Sequence, residues 1–148
     1  MVINVIGTLC PKIKNLCKIT SIKTLEFLNT PNVELTIKFV SPNEIKRLNS
    51  AFRQIDKVTD VLSFPATNTV AGQNVDGGDG TYLGDMALCL KQAKQQAKEY
   101  NTTYYAEIQK LVVHSILHLM GYDHIKDEDY IVMSAKEQEV FNYLNKGE

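Results

Sequence analysis

The alternation of hydrophobic and polar residues predicts four short strands and four or five helices, in mixed order along the chain. Alternating or β-branched runs mark the predicted strands, which are residues 1–8, 33–40, 60–64 and 82–90. Apolar spacing near 3.6 residues and capping residues mark the predicted helices, which are residues 11–29, a segment after Ser41, residues 91–100, a segment after Thr103 and residues 127–146. The pattern therefore predicts an α+β fold, a small mixed sheet of about four strands packed against four to five helices.

The segment after Ser41 has a clear helix start. Ser41 is predicted to form a capping box with Glu44, three residues further on. Ile45, Leu48 and Phe52 follow at helical spacing, so we expect these three side chains to face inward.

Composition limits the class of protein without identifying its chemistry. The 148 residues fit one domain, residues 1–148, and the chain is 44% hydrophobic and 22% charged. The net charge of −1 excludes a globally basic nucleic-acid binder, so any RNA contact needs a local patch.

Three cysteines without Cys-x2-Cys spacing predict small buried side chains in a reducing compartment. No apolar run reaches the ~20 residues of a membrane span, and the N-terminus lacks a basic signal region, so we expect a cytoplasmic protein.

All three histidines of the chain lie within eleven residues of one another. His114 and His118 are four residues apart, so on a helix their Cβ atoms lie roughly 5–6 Å apart on one face. Gly121 follows where a helix can end with a left-handed residue, which would let His124 turn back as a third ligand. A lone histidine on an apolar face is usually a packed core residue, but this clustering favours a metal site. Three neutral imidazoles and one open position are typical of catalytic zinc.

The residue after His114 separates this site from zinc peptidases with the same histidine spacing. Metzincins carry glutamate there as the general base, whereas this chain has Ser115. A hydroxyl of ordinary pKa cannot take a proton near neutral pH as a carboxylate can. The spacing matches a peptidase, but the acid–base chemistry does not.

Residues 114–124 resemble the signature of the YbeY family of endoribonucleases, also called rRNA maturation factors. That signature reads His-Gly-x-Leu-His-Leu-x-Gly-Tyr-Asp-His, and only Ser115, in place of glycine, departs from it. Three upstream segments also match in the family's order: Leu48-Asn49-x-x-Phe52-Arg53, Thr59-Asp60-Val61-Leu62-Ser63-Phe64-Pro65 and Leu83-Gly84-Asp85. The resemblance covers the chain from about Leu48 to His124.

The resemblance implies a small α+β sandwich and a metal-dependent, single-strand-specific endoribonuclease. It implies action in rRNA maturation, at the 3′ end of 16S rRNA, and in ribosome quality control, with the small ribosomal subunit or its assembly factors as partners. His114, His118 and His124 would hold one Zn²⁺, although imidazoles also suit nickel, copper or iron. Arg53 matches the family arginine that faces the metal, and its planar fork suits phosphate.

Several further residues are weaker candidates. Asp60, Ser63 and Asp85 match family motifs, and Asp123 could accept a hydrogen bond from an imidazole, but each could equally serve a turn or cap. Glu107 lies two helical turns before His114, and we expect it to be solvated. A basic rim for single-stranded RNA could comprise Lys38, Lys46, Arg47, Arg53 and Lys57.

Several points stay open at this stage. Residues 66–80 are predicted to be a mobile loop, because Asp76 and Asp79 alone do not make a calcium-binding loop. Ser115 is expected on the packing side of its helix, where a small residue lets another element approach. A metallopeptidase-like hydrolase, or a non-catalytic ribosome-assembly factor with a stabilising metal, remains an alternative function. The oligomeric state and the choice between water and the RNA 2′-hydroxyl as nucleophile are not indicated.

Overall fold

A computed structural model describes residues 1–30, 32–66, 82–122 and 126–146. Within these ranges there are four strands and five helices. In chain order they are β1 (Val2–Ile6), α1 (Pro11–Phe27), β2 (Glu34–Phe39), α2 (Pro42–Arg53), β3 (Val61–Pro65), β4 (Tyr82–Leu88), α3 (Leu90–Glu99), α4 (Tyr104–Leu119) and α5 (Asp127–Asn145). The predicted α+β class is confirmed. The interpretation of residues 66–80 as a loop lies almost wholly outside the described residues.

The sheet is mixed, with the strand order β1-β2-β4-β3. β1 pairs with β2 and β2 with β4 in parallel, whereas β3 pairs with β4 in antiparallel fashion. β3 is therefore an edge strand, which explains how Pro65 can belong to it: an edge position tolerates a residue without an N–H group. In the described part of the chain β3 pairs on one side only, and its residues contact both α4 and α2.

Consecutive residues of β3 point to opposite faces of the sheet, and each face has its own core. Val61 belongs to the large core beneath α1, α4 and α5. Leu62 belongs to a small cluster that includes Ile45 of α2. α2 thus packs on the face opposite to α4, and the two helices are separated by the edge strand.

The histidine-bearing helix α4 is the central helix of the domain. It contacts α1, α3, α5, β3 and β4. Its inward-facing side chains are 3% exposed or less: Ile108, Leu111, Val112, Ser115 and Leu119. Because α4 is packed against other elements on most sides, its side chains hold fixed positions relative to the sheet.

A glycine in β4 lets the sheet and α4 approach closely. Gly84 has φ = +148°, and a Cβ atom there would lie 2.5 Å from the Phe64 carbonyl oxygen and 2.8 Å from Leu119 Cδ2. Both distances are too short for any side chain. Gly84, part of a segment that resembles the family, therefore has a packing role in fixing α4 on the β3–β4 pair.

Two expectations about α2 were wrong. Phe52 does not face inward but is 63% exposed, while Asn49 takes a buried place on the helix and donates a hydrogen bond to the Lys57 carbonyl at 3.0 Å. The capping box is also incomplete. The Ser41 hydroxyl accepts from the Glu44 N–H at 3.1 Å, but the Glu44 carboxylate pairs with Arg47 instead.

Candidate metal centre

His114 and His118 direct the same ring atom at one another from adjacent turns of α4. Their Nε2 atoms are 3.2 Å apart, and the ring centroids are separated by 4.7 Å with an interplanar angle of 78°. Both side chains are half-buried, whereas Val113, Leu117 and Leu119 are fully buried. The two nitrogens therefore converge on a point that solvent can reach.

The separation of the two nitrogens matches a metal-ligand pair. With Zn–N bonds of about 2.0–2.1 Å in tetrahedral geometry, two ligand nitrogens lie about 3.3–3.4 Å apart. The observed 3.2 Å is within about 0.2 Å of that value. The pair thus fits a small dication without rearrangement of either ring.

Glu137 of α5 contacts the other nitrogen of His114. Its Oε1 atom lies 3.3 Å from His114 Nδ1, where it can accept the ring N–H. A proton held on Nδ1 leaves the Nε2 lone pair available, which is the form that binds a metal. Sequence reasoning missed Glu137, because it lies 23 residues from His114 on another helix and has no motif spacing to the histidines.

The chain ends α4 as the sequence predicted. Gly121 has φ = +99°, its N–H donates to the His118 carbonyl at 3.0 Å, and the Tyr122 N–H donates to the Leu117 carbonyl at 3.0 Å. This pair of bonds is a Schellman motif, which reverses the chain after the helix. The predicted third ligand, His124, and its neighbour Asp123 lie outside the described residues.

Ser115 lies on the side of α4 that packs against β3. It is fully buried, and its Oγ is 2.6 Å from the Oγ of Ser63. The prediction that a small residue here allows another element to approach is confirmed, and the element is β3. Ser63, a candidate from the sequence, therefore joins the strand to the helix immediately beside His114.

Arg53 lies in the exposed last turn of α2, on the opposite face of the sheet from α4. Within the described ranges it forms no ion pair with a carboxylate and no hydrogen bond to His114 or His118. Its side chain can approach the histidines only around the edge strand β3. The assignment of Arg53 to phosphate binding stays a prediction.

The expected basic rim is partly neutralised. Arg47 pairs with Glu44 at 2.6 Å, and Lys46 lies 4.0 Å from Asp56. The pKa of the Glu44 carboxyl is lowered from its ordinary value, chiefly by the hydrogen bond from Arg47. Lys38, Arg53 and Lys57 form no ion pair among the residues that the structure describes, so unpaired positive charge lies on β2, at the C-terminal end of α2 and in the segment after it.

Glu107 is the clearest correction among the candidate residues. It is not solvated but 1% exposed. Gln96 Nε2 donates to its Oε2 at 2.9 Å, and Lys110 Nζ lies 3.3 Å from its Oε1. Gln96 Nε2 also donates to Asp60 Oδ2 at 3.1 Å, so one amide joins both carboxylates. The network fixes α3, α4 and the start of β3 relative to one another.

Asp60 and Asp85 have structural contacts of their own. Asp60 Oδ1 accepts from the Val61 N–H at 2.7 Å, as a capping residue does. Asp85 is exposed on the sheet face opposite to α4, and its Oδ1 accepts from the Tyr82 hydroxyl. Burial, followed by that hydrogen bond to Asp85, raises the pKa of Tyr82. Asp85 therefore lies away from the histidines, whereas Asp60 belongs to the network that joins β3 to α3 and α4.

In the described part of the chain, no group of three or more His, Cys, Asp or Glu side chains forms a metal cluster, which leaves the His114–His118 pair as the core of the candidate centre. In the same residues, no helix has both the length and the apolar character needed to span a bilayer.

The fold and the histidine pair define a class of small α+β protein that presents two convergent imidazoles at the C-terminal end of a buried central helix. The sequence model of the family described as Endoribonuclease YbeY matches residues 10–145. This chain belongs to that family.

Individual relatives agree with this assignment. The chain is similar to an Endoribonuclease YbeY of Finegoldia magna, at 49% identity over 114 residues, covering 77% of this chain and 71% of the relative. It is similar to an Endoribonuclease YbeY of Clostridium beijerinckii, at 42% identity over 125 residues, covering 76% and 75%. It also resembles the solution structure of TM1509 from Thermotoga maritima, with a TM-score of 0.65, 29% identity and coverage of 96% of this chain and 88% of that one.

Proposed function

We propose that this chain is a metal-dependent, single-strand-specific endoribonuclease that acts in rRNA maturation, at the 3′ end of 16S rRNA, and in ribosome quality control. The observation that carries the metal dependence is the 3.2 Å separation of the His114 and His118 Nε2 atoms, which suits two ligands of one dication. The family of named endoribonucleases supports RNA as the substrate. The small ribosomal subunit and its assembly factors are the partners proposed with it.

His114, His118 and His124 would hold the ion, which we take to be Zn²⁺ with nickel or another divalent transition metal as substitutes. When bound, such an ion polarises a phosphoryl oxygen and lowers the pKa of water. The chain's own residues do the rest. Glu137 holds the proton on His114 Nδ1, and the Ser63–Ser115 bond fixes the helix turn that carries His114.

Arg53 would bind the scissile or a neighbouring phosphate. A guanidinium offers five N–H donors in a planar fork that matches two phosphate oxygens. Arg53 is exposed and, among the residues described, has no carboxylate to satisfy that fork. Its contribution is to neutralise charge on the non-bridging oxygens and to orient the substrate.

The burial of Ser115 argues against a peptidase. A metzincin-type general base must reach the open side of the metal site, where the substrate lies. Ser115 instead points at β3, and its hydroxyl forms a hydrogen bond with the hydroxyl of Ser63. A peptidase mechanism would need another carboxylate on the open side of the histidines. Glu137 does not supply it, because it contacts His114 Nδ1, the ring nitrogen that faces away from His118.

The test is cleavage of an end-labelled single-stranded oligoribonucleotide from the 16S 3′ region, beside the same strand annealed to its complement. We expect the purified chain to cut the single strand, to lose activity in a chelator and to regain it with zinc. His114→Ala should bind no metal and cut nothing while keeping a cooperative melting transition. A metal-free His114→Ala protein that still cleaves would refute the proposal. A variant that unfolds, together with a wild type that folds only with metal and never cleaves, would favour the assembly factor.

A further inference from the structure

An aromatic side chain at the end of α2 is exposed without a core to explain it. Phe52 is 63% exposed, and its ring meets Phe64 of β3 edge-on, with centroids 5.2 Å apart and an interplanar angle of 72°. The contact anchors the ring but leaves most of its surface in water. Ile55 and Val58, which follow it, are 42% and 39% exposed. The segment therefore presents an apolar surface centred on one aromatic ring.

Unpaired cations accompany this ring. Arg53 is its chain neighbour, and Lys57 lies in the same exposed segment. Six residues earlier on α2, Lys46 and Arg47 have acidic partners, whereas Arg53 and Lys57 form no ion pair within the residues that the structure describes. An exposed aromatic ring followed within five residues by two available cations is a combination suited to single-stranded nucleic acid.

One edge strand connects this surface to the histidines. Phe64 contacts Phe52, and the preceding residue, Ser63, contacts Ser115 beside His114. Adjacent residues of β3 point to opposite faces of the sheet. Among the described residues no strand pairs with the outer side of β3, so a flexible nucleic-acid strand that passes around that edge can contact both the Phe52 surface and the His114–His118 pair.

We propose that Phe52 is a stacking platform for a base of single-stranded RNA, and that Arg53 and Lys57 bind the phosphates on either side of that base. The inference rests on the proposed nuclease function and adds a source for its strand preference. A base in a duplex is already stacked and paired, so it cannot reach the ring without being pulled out, whereas an unpaired base has a free face. An apolar protein partner would use the aromatic ring but has no need for the two cations.

The absence of tryptophan from the chain allows a direct optical test. Phe52→Trp places a single indole on the platform, and we expect single-stranded RNA to quench its fluorescence on binding, measured with a chelator present so that the strand stays intact. Tyr100→Trp is the matched control, because Tyr100 is 59% exposed and also has a cation nearby, with Lys110 Nζ 4.8 Å from its ring centroid. Quenching equal in both proteins, or in neither, would overturn the platform.

Affinity and its salt dependence separate stacking from charge. Phe52→Leu keeps an apolar contact with Phe64 but has no aromatic face, and we expect roughly 5- to 100-fold weaker binding of single-stranded RNA. The slope of log K against log salt should not change in this variant. Arg53→Gln should instead make the slope shallower by about 0.7, the value for one lost phosphate contact. Phe52→Tyr should bind like the wild type, because it keeps the ring.

The outcomes distinguish failure of the stacking platform from failure of the proposed nuclease function. If the wild type cleaves single-stranded RNA and Phe52→Leu binds it equally well, the platform is wrong and the nuclease proposal stands. If the wild type neither binds nor cleaves RNA, both are wrong. If Phe52→Leu abolishes capture of a protein partner but leaves RNA affinity unchanged, the surface is a protein interface, and the platform is again refuted.

Discussion

The hydroxyl oxygens of Ser63 and Ser115 lie 2.6 Å apart, and they join the edge strand to the central helix one residue away from His114. Ser115 is fully buried, and Ser63 is half-buried. The bond is therefore partly shielded from water, and it fixes the helix turn that carries His114, the first proposed ligand. It also explains how serine can replace the family's glycine, since both residues are small enough for β3 to approach.

A double-mutant cycle tests this bond. We expect Ser63→Ala and Ser115→Ala each to lower the free energy of unfolding by about 1 kcal/mol, and the pair to show a coupling of about 0.5–1.5 kcal/mol. Urea unfolding of the four proteins measures it, with Ser50→Ala on the exposed side of α2 as the control. Strict additivity of the two changes would show that the hydroxyls do not interact.

The buried carboxylate of Glu107 supplies a second stability prediction. Glu107→Ala leaves Lys110 without its partner and removes one acceptor of Gln96, so we expect a loss of about 2–4 kcal/mol. Glu107→Gln keeps the shape and one acceptor and should lose less. Chemical unfolding measures both variants, and metal content should stay unchanged. A loss below about 0.5 kcal/mol for Glu107→Ala would contradict the network.

Alkaline pH should destabilise the protein through Cys17. Burial raises the pKa of its thiol from an ordinary 9.0 to about 12. The folded state thus keeps the proton that the unfolded state releases, so stability is complete below about pH 9 and falls between pH 9 and 12, by up to about 1.4 kcal/mol per pH unit. Urea unfolding between pH 7 and 10.5 measures this slope.

Cys17→Ala should have a shallower alkaline slope than the wild type. Tyr82 and Tyr104, whose pKa values are also raised by burial, remain in the variant and leave a residual slope. Cys10→Ala is the control, since Cys10 is only half-buried. Equal slopes in all three proteins would show that Cys17 has the same protonation in the folded and unfolded states.

Glu137 gives a prediction that does not depend on catalysis. Loss of a carboxylate behind a ligating histidine typically weakens metal affinity 10- to 100-fold. We expect Glu137→Ala to show about that loss, and Glu137→Gln, which still accepts the ring N–H, a smaller one. Competition with a coloured chelator measures both. Glu139→Gln, on the same helix and paired with Lys136, should bind metal like the wild type.

Hydrophobic periodicity was enough to predict most of the fold. For the elements given bounds from the sequence, the strands and helices end within two residues of the predicted positions, because each buries one regular face. β3 ends at Pro65, one residue beyond the predicted strand 60–64, since its edge position is a property of the sheet and not of the segment. Gly121 was predicted correctly because its motif is local.

The residues that sequence reasoning misplaced depend on contacts between distant elements. The residues around Glu107 in the sequence are typical of a solvated helix position. Its burial becomes favourable because Gln96 of α3 donates a hydrogen bond to it and Lys110 pairs with it. Glu137 could not be linked to His114 without knowing how α5 crosses α4. Phe52 was placed inward by its spacing, but α2 covers only a small part of the sheet and its last turn extends beyond that cover.

The central claim is that His114 and His118 share one ion, and metal stoichiometry tests it most directly. We predict that elemental analysis of the purified chain, loaded with zinc and freed of excess, gives about one ion per chain, in line with a single three-histidine centre. His114→Ala and His118→Ala should each give close to none, while Glu139→Gln matches the wild type. Undiminished zinc in the two histidine variants would contradict the account, as would a wild type that retains no metal.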